Sequence, residues 1–188
     1  KDLNEPENLV AAANNLTRQS DRRLLNMAPV LDLIDEAVKH LDNADQKRSL
    51  IILRGQMVSY GLGTSRIHFR VNARHIKNAL MGVFQYDENT SDSRTLLLRA
   101  AEITKSVEPI AVNFASLALE KSTAHQQMIM ATQFHKYIDD TVPIRMLIAE
   151  TEDSVTVMGM LYLARLYGLE NALDISPLFE TSDALYNG

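Results

Sequence analysis

Three short stretches of strand character, separated by helical segments, constrain the fold of this chain most strongly. Residues 65–71 alternate polar and apolar side chains, which is the period of a β-strand. Residues 144–149 form an apolar run apart from Arg145, and residues 173–178 form another stretch of strand length that reaches Pro177 and Leu178. Because helical patterns lie between these stretches, successive strands need crossover connections and are expected to run parallel. The sequence therefore predicts a mainly helical α/β fold with about three parallel strands.

The remaining segments have helical periodicity, with apolar residues recurring every three or four positions. The predicted helices span residues 8–17, 24–41, 45–60, 72–83, 96–107 and 154–167. We therefore expect residues 1–60 to be helical and residues 61–188 to form strand–helix units, within one domain of residues 1–188.

Prolines mark the beginning of two helical segments. Pro29 lacks a backbone donor, so the second helix should start or kink there. Residues 108–140 contain little that breaks a helix, and Pro109 suits a first turn. We therefore predict helix across residues 108–140, with a turn near residues 120–123.

The composition excludes several classes of protein. With 46% hydrophobic and 23% charged residues, the 188-residue chain resembles a soluble globular domain. Its net charge of -5 argues against a general nucleic-acid binder, which needs a concentrated basic face. There is no cysteine for disulfides or thiolate chemistry, and no apolar run approaches the roughly 20 residues that span a bilayer. We therefore expect a cytoplasmic protein that binds neither nucleic acid nor membranes.

A carboxylate follows two of the predicted strands. Glu150 comes directly after residues 144–149, and Glu180 comes shortly after residues 173–178. In α/β enzymes, binding and catalytic groups lie at the C-terminal ends of parallel strands. From the residues alone, a glutamate in this position is more often a helix cap or surface group than a metal ligand. We hypothesise that Glu150 and Glu180 face one crevice at these strand ends.

The first predicted strand has an unusual polar face that includes Arg66, His68 and Arg70. Such a face is explained by an anionic ligand, a carboxylate partner or water. The guanidinium of Arg70 matches a carboxylate or phosphate with two hydrogen bonds, although a salt-bridged or solvated arginine is the alternative.

Other charged residues give weaker signals. His68 with His75, and His135 with Asp139, lack a third metal ligand, so we interpret these histidines as structural. Arg74 and Lys77 could extend the positive region of Arg66 and His75, but both are interpreted as residues on a solvated helix face.

Several segments resemble phosphoenolpyruvate carboxylases. Residues 60–62 (Tyr-Gly-Leu) and 67–70 (Ile-His-Phe-Arg) look like the end of a helix and the second barrel strand of that family. Residues 146–148 (Met-Leu-Ile) take the place of the third strand, and residues 177–181 (Pro-Leu-Phe-Glu-Thr) are similar to the metal-binding strand. These segments occur in the family's order and at nearly its spacing, so the resemblance covers roughly residues 50–188.

The resemblance implies a partial (β/α)8 barrel in which Glu180 binds Mg²⁺ or Mn²⁺ and Arg70 helps to form the anionic substrate site. It implies a homo-oligomeric parent enzyme that converts phosphoenolpyruvate and bicarbonate to oxaloacetate and phosphate. The chain starts at Lys1 and stops just after a predicted helix begins, so we expect it to be a piece of a longer protein. The family's catalytic histidine would precede Lys1, and its second metal carboxylate and glycine-rich loop would follow Gly188. This piece alone is therefore expected to be inactive without the rest of the parent chain.

The chain also departs from the family pattern. His68 replaces an acid, Val71 replaces a glutamine, and Ala149 and Glu150 replace a Ser-Met pair. A divergent or inactive relative is therefore one alternative. Another metal-dependent enolate enzyme on the same barrel and a helical interaction module without catalytic activity are two others.

Overall fold

The computed structural model describes residues 2, 4–62, 68–85, 93–141 and 143–187. The described helices are α1 (Pro6–Thr17), α2 (Ala28–His40), α3 (Ala44–Tyr60), α4 (Ala73–Phe84), α5 (Ser93–Lys105), α6 (Phe114–Leu119), α7 (Thr123–Tyr137), α8 (Ser154–Leu166) and α9 (Ser182–Asn187). The described strands are β1 (His68–Asn72), β2 (Ile144–Ala149) and β3 (Leu173–Pro177). No described helix has the length and apolar character needed to cross a membrane.

The chain divides into two compact units. The first comprises Lys1–Arg66 and Phe134–Val142, and the second comprises Ile67–Gln133 and Pro143–Gly188. The first unit contains α1, α2 and α3, and the second contains the sheet.

In the first unit, α2 and α3 pack against each other. Pro29 lies in the first turn of α2, which confirms that this helix starts there. The side chain of Asn43 caps α3 by accepting hydrogen bonds from the amides of Asp45 and Gln46. Between the two helices, the Arg54 guanidinium donates two hydrogen bonds to the Asp35 carboxylate, at 2.6 and 2.9 Å.

The second unit is built on a parallel sheet of order β1-β2-β3. Its register aligns His68 with Arg145, and Arg145 with Asp174. The α/β class and the three parallel strands are therefore confirmed. The predicted strand residues 65–67, including Arg66, lie outside the described residues. The described strands form an open sheet, so they do not by themselves close a barrel.

One face of this sheet forms the core of the second unit. Phe69 and Val71 of β1 and Met146 and Ile148 of β2 are buried on that face. Helices α4 and α8 contact the sheet and each other, and α5 packs on α8. On the opposite face, His68 and Arg70 of β1 and Arg145 of β2 are exposed. The period-two pattern therefore separates the helix-covered face from the polar face.

The helix predicted from residue 108 is wrong at its start. Residues 107–113 are not helical, and the next helix is α6. Pro109 has no amide hydrogen, and the Ile110 amide donates to the carbonyl oxygen of Leu166 at 2.8 Å, at the end of α8. This bond joins the non-helical segment to the end of α8. The turn predicted near residues 120–123 is confirmed between α6 and α7.

Candidate functional site at the C-terminal edge of the sheet

Arg70 and Glu180 meet at the C-terminal edge of the sheet. The Arg70 Nη2 atom lies 3.0 Å from Glu180 Oε1. Their side chains are 61% and 39% exposed, so solvent reaches both groups. The segment that carries Glu180 is held to the end of β2, because the Leu178 amide donates to the Ile148 carbonyl at 2.9 Å and the Thr151 amide donates to the Leu178 carbonyl at 3.1 Å. The structure thus brings together the two residues selected from the sequence.

Glu150 belongs to the same cluster of groups. Its backbone φ of 54° places it in the left-handed region directly after β2. Its amide donates to Glu180 Oε2 at 2.8 Å, and its own carboxylate accepts a hydrogen bond from the Asn72 side-chain amide at 2.7 Å. A glutamate in this conformation carries a strain of order 1–3 kcal/mol, which the surrounding contacts must offset. Glu150 therefore contacts Glu180 through its backbone amide, and the shared crevice of the two carboxylates stays a hypothesis.

These four residues, Arg70, Asn72, Glu150 and Glu180, are here called the edge cluster. Its two carboxylates supply the oxygen donors that Mg²⁺ and Mn²⁺ prefer, and Mg²⁺ is commonly held by one or two carboxylates with water and ligand oxygens. Within the described ranges, no group of three or more His, Cys, Asp or Glu residues is placed to hold a metal ion. The donor chemistry fits a cation that is held partly by water and by ligand oxygens. The ion pair between Glu180 and Arg70 would have to break before Glu180 could bind that cation.

A cavity of about 410 Å³ adjoins the edge cluster. Its lining includes Asn72, Arg74, Lys77, Glu150 and Glu152. Arg74 makes no ion pair with any residue that the structure describes, so its charge is available to an anion. The volume lies within the range of small-molecule sites.

Lys77 was misassigned from the sequence as a solvated helix residue. Its side chain is only 34% exposed, and its Nζ atom lies 2.8 Å from Asp153 Oδ2. Asp153 also caps α8 by accepting from the amide and hydroxyl of Thr156, at 2.7 and 2.8 Å. Burial alone would raise the pKa of Asp153, but the hydrogen bonds from Lys77 and Thr156 outweigh it and lower that pKa. The sequence Asp-Ser-Val-Thr at residues 153–156 indicates a helix cap, whereas no local pattern indicates that Lys77 pairs with Asp153.

The histidines occupy other places. His68 is exposed on the polar face of β1. His125 Nδ1 lies 2.7 Å from the Tyr167 hydroxyl. Burial lowers the pKa of His125 and raises the pKa of Tyr167 to about 12. In the first unit, Asp139 accepts a hydrogen bond from the Leu62 amide at 3.0 Å, which is a structural contact.

No family model, curated protein or solved structure matches this chain. The resemblance to phosphoenolpyruvate carboxylases therefore stays a prediction from the sequence.

Proposed function

We propose that this chain is a divergent piece of a phosphoenolpyruvate carboxylase, in which Arg70 and Glu180 contribute to the active site. The observation that carries the proposal is their 3.0 Å contact across the C-terminal edge of three parallel strands. This edge is where α/β enzymes bind their substrates. The proposed parent is a cytoplasmic homo-oligomer that converts phosphoenolpyruvate and bicarbonate to oxaloacetate and phosphate, and the rest of its chain supplies the other catalytic groups.

Arg70 has the chemistry to bind and orient an anionic substrate. Arg70 donates a hydrogen bond to Glu180 through one nitrogen, Nη2, so its guanidinium has other donors for a ligand. A guanidinium binds carboxylate and phosphate with paired hydrogen bonds, which fixes the position of the anion as well as its charge. Arg70 would thereby hold phosphoenolpyruvate and neutralise charge that develops during carboxylation.

Glu180 is the proposed ligand of Mg²⁺ or Mn²⁺, and the Glu150 amide orients its carboxylate. When bound, such a cation supplies positive charge beside an enolate oxygen. Glu180 must first release Arg70. Exposed ion pairs contribute only about 0–1 kcal/mol, so this exchange costs little, and the released guanidinium can turn to the substrate anion.

The test is Mn²⁺ binding to the intact parent protein, followed by electron paramagnetic resonance with and without phosphoenolpyruvate. We expect Glu180→Gln to weaken Mn²⁺ binding at least about tenfold, which corresponds to about 1.4 kcal/mol. Arg70→Gln should keep Mn²⁺ binding but abolish its enhancement by phosphoenolpyruvate. The matched control is Glu152→Gln, which removes the same charge from an exposed residue near the site.

Equal Mn²⁺ affinity in the Glu180→Gln and Glu152→Gln variants would refute the proposed metal role. Product analysis of the intact parent protein with phosphoenolpyruvate and bicarbonate separates carboxylation from other enolate chemistry. Pyruvate or an aldol product in place of oxaloacetate would favour the alternative enzyme on the same fold.

A second candidate function is a helical interaction module, which the surface of α3 favours. This helix has no buried residue, and Ile51, Ile52 and Val58 are 56%, 53% and 54% exposed. Exposed apolar clusters of this kind mark interaction sites. Light scattering tests this candidate: a mass above that of one chain, returning to one chain in Ile52→Glu, would support it.

A further inference from the structure

A cavity in the first unit is lined by three arginines. It has a volume of about 520 Å³ and follows the C-terminal end of α1. Its lining residues are Asn15, Arg18, Gln19, Ser20, Arg22 and Arg23. We propose that this arginine cavity binds a phosphate monoester or diphosphate group. The proposal is independent of the edge cluster and of carboxylation.

Local hydrogen bonds fold the segment so that its arginines line one cavity. The Arg23 amide donates to the Ser20 carbonyl at 3.0 Å, and the Arg22 amide donates to the Ser20 hydroxyl at 3.3 Å. The Arg23 Nη1 atom donates to the Arg18 carbonyl at 3.1 Å. These bonds close a turn after α1, so residues from both ends of the turn share the cavity. Arg23 is also partly buried, which limits the positions of its side chain.

The part of the chain that the structure describes supplies no carboxylate partner for the charges of this cavity. Arg18, Arg22 and Arg23 form no ion pair with any described residue. Asp21 lies in the same turn but does not line the cavity. Among the other described arginines, Arg54, Arg70 and Arg165 pair with carboxylates, whereas Arg74 does not. Three like charges in one concavity repel each other and create a local positive potential on a chain whose net charge is -5.

A phosphate group suits this arrangement better than a single carboxylate does. Its oxygens can accept from more than one guanidinium, each of which presents a planar pair of donors. The side chains of Asn15, Gln19 and Ser20 add neutral donors to the same lining. The cavity is therefore specific for a polyvalent oxyanion, carried either by a soluble molecule or by a lipid headgroup.

The proposal is tested by isothermal titration with inorganic pyrophosphate and glycerol phosphate. Binding should weaken at least about tenfold in Arg22→Gln/Arg23→Gln, because charge-assisted hydrogen bonds are removed. The matched control is Arg48→Gln/Arg99→Gln, which removes two exposed arginines outside the cavity and should bind within about twofold of wild type. Arg23→Lys keeps the positive charge but removes the planar pair of guanidinium donors. Its affinity should lie between the affinities of the two double variants. Circular dichroism checks that every variant folds.

A parallel titration with phosphatidylcholine vesicles, with and without phosphatidic acid, identifies the source of the phosphate. Arginine-dependent binding of either the soluble phosphates or the phosphatidic acid vesicles supports the site. The proposal is overturned if neither binds, or if both double variants lose affinity equally, because net charge alone would then explain the binding.

Discussion

Adding one methyl group at Gly159 should expose how closely α8 packs on α4. A Cβ atom at Gly159 would lie 3.0 Å from Ile76 Cγ2, 3.0 Å from Leu80 Cδ1 and 3.7 Å from Phe84 Cε2. All three neighbours are fully buried, so they have little room to move. We therefore expect Gly159→Ala to overpack the core of the second unit.

The magnitude follows from two opposing effects. Overpacking a dense core costs about 1–3 kcal/mol, whereas replacing a helical glycine by alanine contributes about 1 kcal/mol. Gly159→Ala should therefore lower the free energy of unfolding by about 0–2 kcal/mol. Gly82→Ala in α4 is the matched control, because its added Cβ meets nothing within 4 Å. It should receive the same propensity gain without overpacking and raise the free energy of unfolding by about 1 kcal/mol.

Urea denaturation monitored by circular dichroism measures this difference. With an m-value of about 2 kcal/mol per molar urea, the expected gap of about 1–3 kcal/mol separates the two midpoints by about 0.5–1.5 M. Equal midpoints for Gly159→Ala and Gly82→Ala would refute the argument, because the helices would then have space for the methyl group.

Two further predictions concern pH and helix capping. Burial lowers the pKa of His125, so the unfolded chain takes up a proton more readily. The associated stability is present above about pH 6.5 and is lost as the pH falls below it. The urea midpoint should therefore decrease from pH 7 to pH 5.5, and less so in His125→Gln; an identical decrease in both would contradict this. The lowered pKa of Asp153 means that its stabilising contribution is present above about pH 4 and is lost as the pH falls through the lower, folded pKa. Asp153→Ala should cost about 1–2 kcal/mol through the lost cap of α8, whereas Asp153→Asn keeps a capping oxygen and should cost less; equal urea midpoints for these two variants would argue against the cap.

Local sequence patterns predict secondary structure correctly where all the residues that determine it are close together in the sequence. The strand at residues 144–149 was predicted with its observed bounds, because an apolar run lies between Pro143 and Glu150. The start of α2 followed from Pro29 for a similar reason. The segment after Glu108 has equally helical periodicity, yet its backbone bonds to the end of α8, a partner that periodicity does not reveal.

For the candidate site, the sequence determined which side chains the strands carry or precede: Arg70 within β1, Glu150 after β2 and Glu180 after β3. Only the tertiary structure decided that Arg70 bonds to Glu180, a residue 110 positions away, and that the Glu150 amide completes the contact. The physical reason is the distance along the sequence over which each interaction acts. Strand period and helix starts depend on neighbouring residues, whereas an ion pair depends on the order and register of strands that the whole unit must assemble.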